Sequence, residues 1–258
     1  MPAKMSSMQI ADHVFVVTGA SSGIGRSTAE ALTARGAKVA LIARNTIALQ
    51  ELADRLPGSV ALTADVTDFA ALRSAIDAAH NHFGRLDGLI NNAGRGYGAA
   101  VEQIDPGAFT EIFTLNVLAP IVAMQAVIPI MRTAGAGVIV NVNSGTSFMT
   151  IPDYSVYSAS KRALLGVTQT ARGELAADGI VVSEVYPGMT ATDFGRNRLG
   201  SDGETTDYSA GDPPEMVADL IVAAIEGGDA QYFVNEYLRK LAGGLIESPR
   251  PTVRAGLR

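Results

Sequence analysis

The stretch HVFVVTGASSGIG, residues 13–25, decides the fold. Its first half is an unbroken apolar, β-branched run of the kind that makes a strand buried on both faces. It breaks at a glycine turn and passes directly into GRSTAEALTARG, where Ala29, Leu32 and Thr33 share one helical face. Gly19, Gly23 and Gly25 therefore sit between a strand and a helix N-terminus, where backbone N–H groups and the helix dipole favour an anion. Missing side chains let a phosphate approach closely there, with Ser21, Ser22 and Ile24 filling the turn. The spacing is G-x-x-x-G-x-G and not G-x-G-x-x-G, and glycine turns between strand and helix also arise for backbone reasons alone.

Six further runs repeat the first: 37–44, 59–66, 87–94, 137–144, 180–188 and 230–235. Helical patterns such as FAALRSAIDAAHNHF, with Leu72, Ile76 and Ala79 on one face, separate them. Strand and helix alternating in this way give an α/β doubly wound fold, a seven-stranded parallel sheet with helices on both faces. No linker or repeat interrupts it, so residues 13–240 read as one domain, after an extension over 1–12 and before a tail over 241–258.

Composition narrows the function. With 47% hydrophobic residues and 18% charged, the chain can fill an ample core, and its net charge of −6 argues against a general nucleic-acid partner. No cysteine is present, which removes disulfides and thiolate chemistry together. His80 and His82 point to opposite sides of a helix, and with His13 the only other histidine no metal site is expected. Unbroken apolar runs stay short of the roughly 18 residues of a membrane span, and the N-terminus lacks the apolar core of a secretory signal, so a cytoplasmic location is the expectation.

Two carboxyl ends of strands then acquire chemistry. The second run ends at Arg44, about 20 residues beyond the glycine turn, where an acid would bond the ribose of NAD. A guanidinium there, helped by Ser21, Ser22 and Asn45, suits the 2′-phosphate of NADP, although a surface arginine at a strand end reads the same way. Asp65 and Val66 close the third run and could meet an adenine, or Asp65 could cap the following helix. YSASK, residues 157–161, sets Tyr157 and Lys161 four apart on one helical face, with Ser144 thirteen residues upstream. An unperturbed phenol titrates near about 10. A neighbouring ammonium favours its ionised form and makes it an acid–base group near neutral pH, while Ser144 adds a second donor to the same substrate oxygen. A solvated helix face offers such pairs too.

TGASSGIG (18–25), NNAG (91–94), Asn116, Ser144, YSASK and PGMTAT (187–192), in this order, resemble the short-chain dehydrogenase/reductase family over about His13 to Asn235. The resemblance implies a Rossmann-type fold and a catalytic tetrad of Asn116, Ser144, Tyr157 and Lys161. Ser144 would polarise the substrate carbonyl, Tyr157 would donate the proton, and Lys161 would lower the tyrosine's pKa and hold the nicotinamide ribose. Asn116, from a locally distorted helix, would hold a relay water, or it is simply a buried polar residue satisfying backbone groups. Asn92, Ala93 and Gly94 would border the cofactor, with Asn92 partly a brace for the sheet. Pro187 and Gly188 would lie by the nicotinamide, and Thr192 by its carboxamide or the diphosphate. One departure is Asn143 before Ser144, where many members carry a second serine.

The implied activity is an NADP(H)-dependent interconversion of a carbonyl and an alcohol, with NAD(H) the lesser cofactor. The alternatives are a non-catalytic dinucleotide-binding sensor or scaffold, and an epimerase or dehydratase that retains its cofactor. Arg95, Tyr97, Phe148, Met149, Ile151, Tyr154, Met189 and Phe194 are candidates for a mainly apolar substrate pocket, under a polar lid over 190–212; each is also explained by ordinary packing. The substrate class they allow is a medium-sized carbonyl compound or secondary alcohol. The family's habit of pairing the helices that carry Asn116 and Tyr157 implies a homodimer or homotetramer. The basic tail beyond Asn235 reads as a helix to Leu241 followed by a surface-laid extension, an oligomer contact or a weak anionic-membrane contact.

Overall fold

The computed structural model describes residues 8–200 and 207–246. In chain order the elements are β1 (Val14–Thr18), α1 (Gly23–Thr33), β2 (Lys38–Ala43), α2 (Thr46–Arg55), β3 (Ser59–Thr63), α3 (Phe69–Phe83) and β4 (Gly88–Asn91). There follow α4 (Pro106–Phe113), α5 (Ala119–Ala134), β5 (Gly137–Val142), α6 (Ser155–Leu175), β6 (Ile180–Tyr186), α7 (Pro214–Gly227), β7 (Gln231–Phe233) and α8 (Glu236–Ile246). The strands form one sheet in the order β3-β2-β1-β4-β5-β6-β7, and every pairing is parallel. Alternate side chains of each strand enter opposite layers, because successive Cβ atoms point to opposite faces. Phe15, Val17, Val39 and Leu41 pack against α1, α2 and α7. Val14, Val16, Ala40 and Ile42 pack against α3, α5 and α6. This is the doubly wound arrangement that the alternating pattern predicts.

The strands are shorter than the apolar runs that announce them. The fourth run was expected over 87–94, yet pairing stops at Asn91, because Asn92 turns its amide back to bond the carbonyls of Thr18 at 2.9 Å and Gly19 at 3.3 Å. Thr18 returns its hydroxyl oxygen as acceptor for the N–H groups of Asn92 and Ala93. The sheet order reverses between β1 and β4, and this brace fixes the crevice that opens at the reversal.

Between α4 and α5 the chain makes a π-helical turn, Thr114–Leu118, around Asn116. The resulting helix, Pro106–Ala134, has the length and apolar character to cross a membrane even though no unbroken apolar run announced it. Half of its most apolar window is buried, and its inner side packs on α3, β4 and β5 as a core helix. The last helix extends past the expected end at Leu241 to Ile246, with Asn235 accepting from the Leu238 N–H to start it. The basic residues Arg250, Arg254 and Arg258 and lid residues 201–206 lie outside the described residues.

Candidate active site

Each strand end delivers one piece of the site. β1 leads into the glycine turn, where Gly19 (φ 67°) and Gly23 (φ 51°) adopt left-handed backbone that L side chains resist. Gly25 is needed for space: a Cβ there would lie 2.3 Å from the Gly19 carbonyl oxygen and 2.5 Å from the Asn92 amide nitrogen. The Ser22 side chain makes no capping bond to α1, so the side chain at this helix start leaves the first N–H groups to other partners. Across the turn stands Thr192, whose Cγ2 would meet a Cβ on Gly23 at 2.9 Å.

β2 is followed by Arg44, whose side chain is 75% exposed and lies 3.6 Å from Asp65, two residues past β3. Asp65 accepts from the Thr67 N–H at 2.9 Å and hydroxyl at 2.7 Å. Burial pushes its carboxyl up, but these bonds and Arg44 outweigh it and hold the group below its ordinary value. The helix cap belongs to Asp68, which accepts from Ala70 and Ala71, so the capping alternative for Asp65 falls away.

Beyond β5, Ser144 accepts from the Thr146 N–H at 3.2 Å and its hydroxyl at 3.0 Å. The Ser144 hydroxyl also bonds the Tyr157 phenol. Lys161 projects from α6 one turn after Tyr157, its Nζ donating to the Val142 carbonyl at 2.9 Å and lying 5.9 Å from the Tyr157 ring centre. Gly94 closes the back, since a Cβ on it would sit 3.2 Å from the Asn116 Oδ1 and 3.7 Å from Lys161 Nζ.

Asn116 is fully buried, and its amide behaves as the structural alternative described. Oδ1 accepts from the Arg95 N–H, and Nδ2 donates to the Arg95 carbonyl and to Ser160, each at about 3 Å. Ser160 in turn donates to the Tyr157 carbonyl at 2.7 Å. The side chain thus clamps the segment after β4 to the turn of α6 carrying Tyr157, while its main chain lies in the π turn, a distortion frequent at functional sites.

Electrostatically, the pair departs from the sequence expectation. Tyr157 is 6% exposed and burial pushes its phenol up to about 12, against the lowering effect of Ser144, so the protein's own groups raise its pKa. Lys161 is pushed by burial down to about 8, against the opposing field of Glu184. An ammonium that is itself desolvated and bonded to a carbonyl does not offset the phenol's loss of water.

A continuous cleft of about 1110 Å³ runs along these strand ends. Every residue assigned to the cofactor lines it except Gly25, which supports the turn from beneath. Of the pocket candidates, Arg95, Met149, Ile151, Tyr154, Met189 and Phe194 line it too. Tyr97 does not: it is 2% exposed, and its hydroxyl accepts from the Asp105 N–H at 3.1 Å, on the far side of the β4 loop. Nor does Phe148, whose ring packs on Tyr186 and Phe233 at centroid distances of 4.8 and 6.1 Å. Sequence reasoning missed Tyr208, whose ring approaches Phe194 to 6.3 Å over the cleft, because it lies in a polar loop with no periodic signal.

Residues 13–201 match the short chain dehydrogenase pattern, about three-quarters of the chain and the whole of the crevice just traced apart from Tyr208 and Leu238. The chain belongs to the short-chain dehydrogenase/reductase family. Among its relatives in this oxidoreductase family, levodione reductase of Leifsonia aquatica is 31% identical, with 90% of this chain and 94% of that protein covered. Dehydrogenase/reductase SDR family member 7B of Bos taurus is 32% identical, covering 92% and 80%. A short-chain dehydrogenase/reductase from Burkholderia phymatum, solved in complex with NAD, superposes with a TM-score of 0.86 at 25% identity, covering 97% of this chain and all of that one.

Proposed function

We propose that this short-chain dehydrogenase/reductase interconverts a ketone or aldehyde with an alcohol, using NADP(H). The observation that carries the reading is the convergence of Ser144, Tyr157 and Lys161 on the same cleft as the glycine turn. The residues fit a dinucleotide: the turn is packed to backbone contact at Gly25, and a cleft of about 1110 Å³ accommodates both a long ligand and a second molecule. When bound, the nicotinamide supplies or accepts the hydride.

The side chains supply the rest. Ser144 and Tyr157 give two donors to one carbonyl oxygen and stabilise the charge that develops there. With its phenol near 12, Tyr157 is neutral at pH 7, so the resting protein is poised as a proton donor, the state that reduction requires. Lys161, near 8, is an ammonium at that pH and places positive charge by the phenolate that proton transfer leaves. Asn116 holds α6 and the Arg95 segment in register around them. A panel of carbonyl compounds followed by NADPH absorbance tests the reading. Oxidation of NADPH with mainly apolar, medium-sized ketones or aldehydes is expected; nucleotide binding with no turnover of any carbonyl or alcohol would leave the sensor alternative instead.

The preference for NADP rests on Arg44. Its ion pair with Asp65 is exposed, and such pairs are worth at most about 1 kcal/mol. A dianionic phosphate offers the guanidinium stronger, bidentate bonds and displaces that pairing. Arg44→Asp is therefore expected to weaken NADPH binding by about tenfold or more, one lost charge-assisted contact, while NADH binding changes little. Equal affinities of the unmodified protein for the two nucleotides, read by titration, would contradict it. Phe109 and Leu118 are 38% and 44% exposed on the helix that carries Asn116, which supports pairing of that helix in a homo-oligomer.

A further inference from the structure

One carboxylate interrupts the apolar strand β6. Glu184 is 1% exposed and stands in register with Asn141 of β5 and Gln231 of β7. Its Oε1 accepts from the Asn143 amide at 2.8 Å and its Oε2 from the Tyr186 hydroxyl at 2.6 Å. The Thr168 hydroxyl of α6, whose proton goes to the Leu164 carbonyl at 2.7 Å, lies against the carboxyl group as well. Gln231 donates to the Tyr186 oxygen at 3.0 Å, which turns the phenol's proton toward Glu184. Two donors aimed at one carboxyl group, from Asn143 and Tyr186, favour its ionised form, which accepts only.

A buried anion without a cation is costly, so its partner matters. Lys161 lies two helical turns before Thr168, on the same face of α6. The other cations of that helix are committed to carbonyls, Arg162 to those of Ser147 and Met149 and Arg172 to those of Val182 and Gly228. From β5 the facing side chains are the amides of Asn141 and Asn143, from β6 the Tyr186 phenol, and from β7 the Gln231 amide, so among the described residues Lys161 is the cation left to act on the carboxylate. Asn143 joins the two: its Nδ2 also donates to the Lys161 carbonyl at 3.2 Å, and its Oδ1 accepts from the Ser144 N–H at 2.9 Å and the Ser147 hydroxyl at 2.7 Å. One amide thus ties Glu184 to the helical turn of Lys161 and to the backbone of Ser144. This also explains why asparagine stands before Ser144, since a serine there has no second arm for Glu184.

We propose that Glu184 is a positioning residue for the proton-transfer pair: held by Asn143 and Tyr186, its carboxylate is the counter-charge that keeps Lys161 an ammonium ion near Tyr157. The inference rests on the reading that Tyr157 and Lys161 handle the proton. Burial pushes Glu184 up to about 7, against its hydrogen bonds and the Lys161 charge, and pushes Lys161 down to about 8, against the Glu184 charge. Each ion opposes the other's neutralisation.

The decisive measurement is Tm against pH for the full chain, Glu184→Gln and Lys161→Met. Glu184 titrates near 7 when folded against 4.5 as a free group, so its contribution to stability is full below about 4.5 and is lost as pH rises through 7. That decline is expected in the wild type and absent from Glu184→Gln. In Lys161→Met, where the counter-charge is gone, it should move up by about one pH unit. Parallel wild-type and Glu184→Gln curves, or an unmoved decline in Lys161→Met, would overturn the proposal. Should Glu184→Gln not fold, Tyr186→Phe strips one donor from the carboxylate and should move the decline upward too; an unmoved decline counts against it. In kinetics, Glu184→Gln should bring the alkaline limb of kcat/KM down by about one pH unit. A uniform loss at every pH would make Glu184 structural only. If the wild type turns over no carbonyl compound, the proposed activity fails while the melting curves still decide the role of Glu184.

Discussion

Tyr157→Phe is expected to lower kcat by about 10²–10⁴-fold, the range that a positioned general acid contributes, while NADPH affinity stays near that of the wild type. Phenylalanine keeps the ring contacts with Tyr154 and Phe194 and loses only the hydroxyl that bonds Ser144. Replacement from nearby is blocked. The neighbouring phenol, Tyr154, has its ring 6.5 Å from that of Tyr157 and its hydroxyl engaged by Arg198 at 3.0 Å. The measurement is steady-state kinetics on the best carbonyl of the panel together with nucleotide titration. A variant that turns over like the wild type would remove Tyr157 from proton transfer, and one that loses nucleotide binding would assign it to cofactor placement.

What the sequence made legible follows from which physical signal each residue leaves. Central strands buried on both faces leave apolar runs, and the half-buried edge strands β3 and β7 keep enough apolar and β-branched residues to be located too, while glycine punctuation placed the crevice at their carboxyl ends. Ends of strands were overextended because Asn92 and the residues after it continue the composition of β4 while leaving its ladder for the Thr18 brace. Direction of a loop side chain leaves no such signal. Phe148 and Tyr97 follow the serine and NNAG segments in sequence as closely as Met149 and Arg95 do, yet one turns under β6 and β7 and the other into a separate apolar cluster with Ile112 and Val156.

The sign of the phenol's displacement was also beyond the pattern YSASK, because spacing gives proximity but not desolvation. Lys161 sits where the four-residue spacing places it, and burial still dominates both members of the pair. Glu184 was the available clue. An acid inside IVVSEVY contradicts a fully buried strand unless something compensates it, and Asn143, noticed as a departure from the family's usual serine, is part of that compensation. Two local irregularities, each unremarkable alone, were one hydrogen bond.

Gly25→Ala should have the other large effect, on nucleotide binding as well as stability. The added methyl would enter at 2.3 Å from the Gly19 carbonyl oxygen and 2.5 Å from the Asn92 amide nitrogen, separations that no relaxation of a flexible side chain can relieve, because the first contact is backbone. Moving α1 outward relieves it only by parting the bonds from Asn92 to Thr18 and Gly19 that join the turn to the end of β4. Overpacking of this kind costs about 1–3 kcal/mol. If the strain is released by opening the turn, the same energy appears as a rise in the NADPH dissociation constant of up to about 100-fold. Gly173→Ala provides the control, since a Cβ on that glycine meets nothing within 4 Å. In mid-helix the same substitution should leave nucleotide binding alone and raise stability by about 0.5–1 kcal/mol. Urea melts and NADPH titrations of the two variants separate the outcomes: a Gly25→Ala protein that binds as the wild type does would mean that the phosphates are not held at this turn.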